Sequence, residues 1–233
     1  MADDQDRPPL TRARAVREAT VLADAEGVRA VSMRNLAARL GVVPMALYKH
    51  VANKEDLLDG MVDLFVAELP VPDRREHWRT AVRDTVLAAR RAVVARPWLR
   101  SVIQTRTRRT PAVLGHMDAV AGAFLAGGFS ADLTHHAMHA LGHRLWGFSP
   151  EAFDAPDVPD DATVPADPDE VEAIVARMSE AYPSIAAVAL AAVDGDLGRL
   201  GGGCDEQFEF EFGLDLLLDG FERLCAVNWC SRP

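Results

Sequence analysis

The sequence predicts an all-α protein, because three observations agree along its 233 residues. Apolar side chains recur at three- and four-residue spacings, which place them on one face of a helix. Capping residues precede these segments, and glycine or proline follows them. Strand-like alternation is almost absent. Its clearest case, FEFEF at 208–212, continues into GLDLLLDGFERLC without a turn, so we interpret it as helix as well.

The front of the chain contains four predicted helices, at residues 11–25, 33–40, 44–51 and 53–69. Ser32 is a suitable N-cap for the second helix, and Gly41 suits the left-handed residue that follows it. Pro44 fits the first turn of the third helix, and Asn53 is a suitable cap for the fourth. Because the prolines of PVPD at 70–73 end that helix, we expect two domains, at residues 1–69 and 70–233.

The second predicted domain is also helical. Its helices are expected near residues 75–95, 98–105, 111–127, 131–147, 168–192 and 204–228. We expect loops at 149–170, which is rich in proline and acidic residues, and at 195–203, which is rich in glycine. The last helix has one apolar stripe at 210, 214, 217, 221 and 224 and another at 208, 212 and 216. A helix that is apolar on two faces is commonly covered by its own core and by a second subunit.

Composition predicts a globular cytoplasmic protein with no membrane attachment. Apolar residues make up 49% of the chain, which is enough to build a core. The longest apolar run, Ile185 to Val193, is too short to cross a bilayer. MADDQDRPPL at the start lacks the basic and then apolar pattern of a secretory signal. The three cysteines are odd in number and form no C-x-x-C motif, which indicates reduced thiols.

Charge is distributed unevenly, although the net charge is −10. From Arg7 to Lys54 there are nine Lys/Arg against three Asp/Glu, and from Pro70 to Arg109 there are eleven arginines against three acids. Beyond Thr110, five basic residues stand against twenty-one acidic ones. The cationic front half is therefore suited to face a polyanion, which the anionic back half avoids.

Two short helices joined by a glycine-containing turn, at 33–40 and 44–51, match the helix-turn-helix plan. In that plan the second helix enters the major groove of DNA. Small or apolar residues at its tip meet thymine methyl groups, and donors one turn later hold phosphates. A generic helical hairpin with a solvated polar face has the same apolar spacing, so spacing alone leaves both interpretations open.

Residues 10–69 resemble the DNA-binding domain of the TetR family of bacterial transcriptional regulators. The matching run is S-x-R-x-L-A-x-x-L-G-V from Ser32, P-M-A-L-Y-K-H-V from Pro44 and N-K-E-D-L-L from Asn53. The resemblance implies DNA contacts by Arg34, Pro44, Met45, Ala46, Tyr48, Lys49, His50 and Lys54. Val43 departs from the family pattern, which often has a capping serine or threonine there, and a lost cap costs about 1 kcal/mol.

The back half resembles the tetracycline-repressor type of ligand-binding domain, through GGFS at 127–130, ALGHRLWGF at 140–148 and FEFGLDLLLDGFERL near the end. The resemblance implies a homodimer joined through the helices at 131–147 and 204–228, and a pocket for a small-molecule inducer. Dimerisation also has an independent reason. One recognition helix reads only a few base pairs, so tight binding needs a palindromic operator with two half-sites.

Pocket candidates are the aromatic and polar residues scattered on otherwise alanine- and leucine-rich helices. They are Trp98, Ile103, Gln104, Thr107, His116, Met117, Val120, Phe124, His139, His143, Trp146 and Phe148. By the resemblance, the positions that hold a magnesium–tetracycline chelate fall on Gln104, Thr107 and Glu151. Gln104 lacks the imidazole that such a chelate needs. We therefore expect no cofactor, and a ligand other than tetracycline, aromatic or polycyclic in character.

Three functions are compatible with these sequence features. The first is a ligand-responsive repressor without catalytic chemistry, because no G-x-S-x-G, P-loop, H-E-x-x-H or dinucleotide motif is present. The second is a metal-binding protein or metalloenzyme that uses His135, His139 and His143, which lie four residues apart on one helix face. No carboxylate or thiolate in HHAMHALGH completes that set. The third is a small-molecule carrier that keeps the fold without reading DNA.

Overall fold

The predicted all-α class is confirmed. The computed structural model describes residues 9–73, 75–146, 168–192 and 205–232, and this part of the chain contains no strand. Its helices are α1 (Arg12–Glu26), α2 (Met33–Leu40), α3 (Pro44–Leu47), α4 (Lys54–Glu68), α5 (Trp78–Ala95), α6 (Trp98–Thr105), α7 (Pro111–Ala126), α8 (Ala131–Trp146), α9 (Pro168–Ala181), α10 (Pro183–Ala192) and α11 (Glu206–Ala226). A 3₁₀ turn at Val28–Ala30 follows α1. None of these helices is long and apolar enough to cross a membrane.

The chain separates into two compact units. The first contains residues 1–147 and 214–233, and the second contains residues 148–213. Within the first unit, α1 packs against α2 and α4, α2 packs against α3, and α7 packs against α4, α5 and α8. Within the second unit, α9 packs against α10.

Helices α1 to α4 enclose one apolar core. Leu36, Ala37, Leu47 and Leu57 are completely buried in it. The caps act as the sequence predicts, because Ser32 Oγ accepts from Asn35 N at 3.1 Å and Gly41 has a φ of 68°. This left-handed conformation is nearly free of strain only for glycine, which explains the sharp turn into α3.

Helix α3 is shorter than predicted, since it ends at Leu47 and not at residue 51. Val43 supplies no side-chain cap, and Pro44 begins the helix at a position where its missing amide hydrogen costs nothing. The amide of Lys49 donates to the Ala46 carbonyl at 3.4 Å, and that of His50 donates to the Leu47 carbonyl at 2.8 Å. These bonds span three residues and tighten the backbone into a turn, which ends the α-helix early.

The prediction of a single helix at 168–192 is also wrong, because the helix is interrupted between α9 and α10. Pro183 lies at the start of α10. Proline has no amide hydrogen and its ring clashes with the preceding turn, so a helix seldom continues through it. The residues on both sides of Tyr182 are helical as predicted, but Pro183 divides them into two helices.

Helix α11 is anchored within the first unit by rings and ion pairs. Phe221 meets Phe124 edge to face with ring centroids 6.1 Å apart, and Phe124 lies 5.7 Å from Trp78. Arg83 binds Asp215 through two nitrogens, at 2.8 and 3.2 Å. This bidentate hydrogen bond lowers the pKa of Asp215 below its ordinary value.

The two apolar stripes predicted on α11 differ in burial. Phe210, Leu214, Leu218 and Phe221 are buried, so the inner stripe includes Leu218 in place of the predicted position 217. The outer stripe is exposed, with 61% of Phe208, 54% of Phe212 and 55% of Leu216 accessible. Large aromatic side chains on one helix face are seldom left in water without a partner.

We predict that Gly127→Ala destabilises the fold. A Cβ at Gly127 would lie 2.6 Å from the indole of Trp78, which is itself buried among rings. Overpacking of this kind costs about 1–3 kcal/mol of unfolding free energy. The matched control is Gly115→Ala, where a Cβ meets nothing within 4 Å, and where alanine should add about 0.5–1 kcal/mol. Urea unfolding of both variants measures the difference, and equal effects would contradict the close packing at Gly127.

Candidate DNA-reading and ligand-binding sites

The predicted reading helix presents its side chains to solvent. Met45 is 71% exposed and Tyr48 is 48% exposed, whereas Leu47 between them is fully buried. Pro44 and Lys49 are also exposed. Burial of Leu47 fixes the rotation of α3, so the tip and the adjoining turn face outward. This arrangement leaves α3 free to enter a major groove.

The other predicted DNA contacts also lie at the surface of the first unit. Arg34 is exposed on α2, and Lys54 is exposed at the first residue of α4. Ala46 and His50 are half-buried beside them. A cation at the start of α4 lies beside amide groups that have no intrahelical partner, which is a favourable place for a phosphate. Contact of these residues with DNA stays a prediction.

The start of α4 is fixed to α1. Arg12 Nη2 forms an ion pair with Asp56 Oδ1 at 2.9 Å, and Asp56 also accepts from the Ala52 amide at 3.0 Å. Burial raises the pKa of Asp56, but the hydrogen bonds from Arg12 and Ala52 lower it further, so the net shift is downward. Gly60 allows close packing, since a Cβ there would lie 2.7 Å from Val16.

A cavity of about 560 Å³ lies in the first unit. Ligand pockets for drug-sized molecules span about 300–1,000 Å³, so it is large enough for one. Its walls come from α4, α5, α6, α7, α8 and the loop between α6 and α7. The lining residues are Val62, Phe65, Val66, Leu69, Thr85, Val86, Ala89, Ile103, Gln104, Arg109, Val113, His116, Met117, Val120, Met138, His139, Leu141, Gly142, His143, Leu145 and Trp146.

Most of the predicted ligand-binding residues meet at this cavity. Those that line it are Ile103, Gln104, His116, Met117, Val120, His139, His143 and Trp146. Phe148 lies outside the described residues. That the others touch a ligand stays a prediction, because lining a cavity does not identify what fills it.

Three predicted ligand residues do not line the cavity. Phe124 is completely buried in the ring cluster with Trp78 and Phe129. Trp98 donates its indole N–H to Asp24 of α1 at 2.7 Å. Thr107 is exposed on the loop after α6. None of these three positions could be told from the residue type alone.

Sequence reasoning also missed one wall of the cavity. Phe65, Val66 and Leu69 near the end of α4 and Val86 on α5 line it. The sequence pattern predicts no ligand-binding role for the apolar residues of α4. The available signal was that the apolar stripe of α4 continues beyond the helix-turn-helix core, with Leu57 in the core and Phe65 two turns later beside the cavity.

The loop between α6 and α7 connects the cavity to the start of α4. Arg106 Nη1 pairs with Glu55 Oε2 at 2.5 Å and lies 3.6 Å from Asp59 Oδ1. Its side chain is only 12% exposed. Thr110 in the same loop donates to Asp63. Arg109, between these two residues, lines the cavity. The loop that contributes Arg109 to the cavity wall is therefore attached to α4 on both sides of that residue.

The histidine face of α8 does not resemble a metal centre. The rings of His135 and His139 lie 4.6 Å apart and those of His139 and His143 lie 6.3 Å apart, all three exposed. Within the part of the chain that the structure describes, no group of three or more His, Cys, Asp or Glu is arranged to hold a metal ion. The metal-binding alternative therefore gains no support from these residues.

Comparison with protein families gives matches to both halves of the chain. The family model for bacterial regulatory proteins, tetR family, matches residues 16–61. The model for the tetracyclin repressor-like C-terminal domain matches residues 71–225. Together they include the reading helices and the cavity-lining residues of α5 to α8 and of the loop before α7, whereas Val62, Phe65, Val66 and Leu69 lie between the two matched ranges.

Two curated relatives show how far the similarity extends. An HTH-type transcriptional regulator of Saccharopolyspora erythraea is 35% identical over 124 residues, which cover 53% of this chain and 52% of the relative. The chain thus spans about half the length of that relative. The tetracycline repressor protein class G of Vibrio anguillarum is 31% identical over 207 residues, which cover 86% of this chain and 88% of the repressor.

Solved structures share the fold. Apo ActR from Streptomyces coelicolor has a TM-score of 0.72 and 23% identity, covering 95% of this chain and 99% of that protein. ActR in complex with actinorhodin has a TM-score of 0.66 and 24% identity, covering 94% of this chain and 99% of that protein. At this identity the likeness supports the fold alone.

We predict that Lys49→Ala and Lys54→Ala each weaken operator binding without changing base preference. Each lost phosphate contact should reduce the slope of log affinity against log salt by about one unit. The control is Arg177→Ala on α9, which is not among the predicted contacts and should keep the slope. Fluorescence anisotropy at several salt concentrations measures it, and a slope unchanged in both lysine variants would exclude these contacts.

Proposed function

Because the chain belongs to the TetR family of bacterial regulatory proteins, we propose that it is a cytoplasmic homodimeric repressor released from its operator by a small-molecule inducer. Members of this family are ligand-responsive DNA-binding transcriptional regulators. The observation that carries the proposal is that α4 packs in the core of the reading helices and also lines the cavity. Such an arrangement regulates DNA binding and needs no catalytic step.

The DNA-reading role is supported by exposure and charge. Met45, Tyr48 and Lys49 stand out from a core that fixes α3 through buried Leu47. The segment from Arg7 to Lys54 has a balance of +6, from nine basic and three acidic residues. Phosphate contacts from such cations supply affinity, and the tip of α3 supplies base contacts.

Homodimerisation is supported by the exposed stripe on α11. Phe208, Phe212 and Leu216 present aromatic and aliphatic surface to solvent. A second copy that covers this stripe would also bring a second reading helix, which an operator with two half-sites needs.

The ligand-binding role is supported by the cavity and by similar proteins. The cavity is lined mainly by apolar side chains with a few polar groups, which is typical of small-molecule sites. A similar protein is named a tetracycline repressor, and ActR has been solved in complex with actinorhodin. Ligands of polycyclic aromatic character are therefore the first to test.

Coupling between the two sites is supported by the attachments of α6. Val102 is buried in the helix-turn-helix core, whereas its neighbour Ile103 lines the cavity. Trp98 binds Asp24 of α1, and Arg106 binds Glu55 of α4. A ligand that favours a different position of α6 would change the spacing of the reading helices. The equilibrium between the two states would shift by as much as the ligand's affinities for them differ.

An electrophoretic mobility shift with the DNA that flanks the protein's own gene tests this function. We expect a complex that unrelated DNA does not displace, and footprints at two half-sites about one helical turn, or roughly 10 base pairs, apart. Absence of a complex with this DNA would contradict the proposal. If dialysed protein retained stoichiometric metal and His139→Ala lost it, the metal-binding alternative would be favoured.

A further inference from the structure

The wall of the cavity has a distinct charge character. Among the described residues that line it, Arg109 is the one permanent charge, and none carries a carboxylate. Three histidines, His116, His139 and His143, add imidazole groups. A cation without a carboxylate beside it leaves a positive potential at that point of the wall.

Three acids of α4 interact with other residues of the loop that contains Arg109. Glu55 and Asp59 on α4 face Arg106, and Asp63 accepts the hydroxyl hydrogen of Thr110. Arg109 lies between these two loop residues and makes no ion pair within the part of the chain that the structure describes. Within this loop, Arg106 therefore binds α4, whereas Arg109 lines the cavity.

Arg109 is exposed although it lines the cavity, so it lies near the opening. Most of the other lining residues are apolar, and the rings of Phe65 and Trp146 on the wall meet edge to face with centroids 6.3 Å apart. Flat aromatic surfaces pack well against such rings. A molecule that fits both regions has an apolar aromatic body and a negative group at one end.

Two polar groups on the wall, the imidazole of His116 and the amide of Gln104, can form hydrogen bonds with the aromatic part of the ligand. Burial lowers the pKa of His116, so at neutral pH its imidazole is uncharged, with one donor and one acceptor nitrogen. Gln104 donates its amide N–H to the Trp146 carbonyl at 3.2 Å, which leaves its amide oxygen as an acceptor. Ring carbonyl or hydroxyl groups would satisfy both residues.

We propose that the cavity selects anionic aromatic ligands, meaning flat polycyclic compounds with ring oxygens and a carboxylate or acidic phenol that binds Arg109. This inference rests on the proposed ligand-binding function and specifies its chemistry. The net charge of −10 repels anions at long range, so a preference for an anion must come from the local site.

Calorimetric titration with three matched probes tests the inference. The probes are 9,10-anthraquinone-2-carboxylate, its uncharged primary carboxamide and the cationic 2-aminomethyl analogue. We expect the carboxylate to bind about tenfold more tightly than the carboxamide at low salt, as a charge-assisted hydrogen bond near a surface provides. The advantage should shrink as ionic strength rises, because Arg109 is partly solvated.

Two variants assign the effect to one residue. Arg109→Gln should remove the preference for the carboxylate and leave carboxamide binding unchanged. Arg108→Gln removes the same charge from the adjacent exposed position, which does not line the cavity, and should keep the preference. Preservation of the preference in Arg109→Gln, or its equal loss in both variants, would overturn the assignment to Arg109.

The same protein samples are tested for operator binding, so that the two proposals fail separately. Equal binding of all three probes, tighter binding of the cation, or no binding of any probe to protein that still binds its operator overturns the anion preference alone. Carboxylate selectivity in protein that binds no operator would support the cavity chemistry and contradict the proposed regulator.

Discussion

The ion pair between Arg106 and the start of α4 is the contact that joins the loop at the cavity to the reading helices. Arg106 is almost buried, and Asp59, one of the two acids that it faces, has only 8% of its surface exposed. A carboxylate with so little access to water is costly to leave without a cation. The loop that forms the cavity wall is therefore held to the helix that begins at a predicted phosphate contact.

Helix α4 belongs to both sites because its first half and its last turns face different surroundings. Leu57 and Met61 are buried in the helix-turn-helix core, and Phe65 and Leu69 line the cavity. Further links surround it, since Arg96 binds Glu68 at 2.6 Å and Trp98 binds Asp24 at 2.7 Å. These contacts make the reading helices and the cavity neighbours in one unit, so a change in either can alter the free energy of the other.

The sequence predicted helix positions well where caps and apolar spacing agree, as at Ser32 and Gly41. It failed where local chemistry outweighed periodicity, which happened at Pro183 and in the turn after Leu47. The cavity was predicted in outline, because aromatic and polar residues on α6 to α8 stood out from alanine-rich surroundings. Phe124 was predicted at the cavity but is buried in the ring cluster, and Leu69 lines the cavity although it was not predicted there. Residue type alone does not tell which side of a packed helix layer borders a cavity.

The most direct test compares operator affinity with and without a saturating inducer in Arg106→Ala and in Arg108→Ala. Coupling of this kind typically changes affinity by about 5–150-fold. We expect Arg106→Ala to bind inducer and operator separately, while the ratio of the two operator dissociation constants falls toward one. Arg108→Ala should keep the wild-type ratio. A full ratio in Arg106→Ala would contradict the view that this ion pair carries the signal from the cavity to α4.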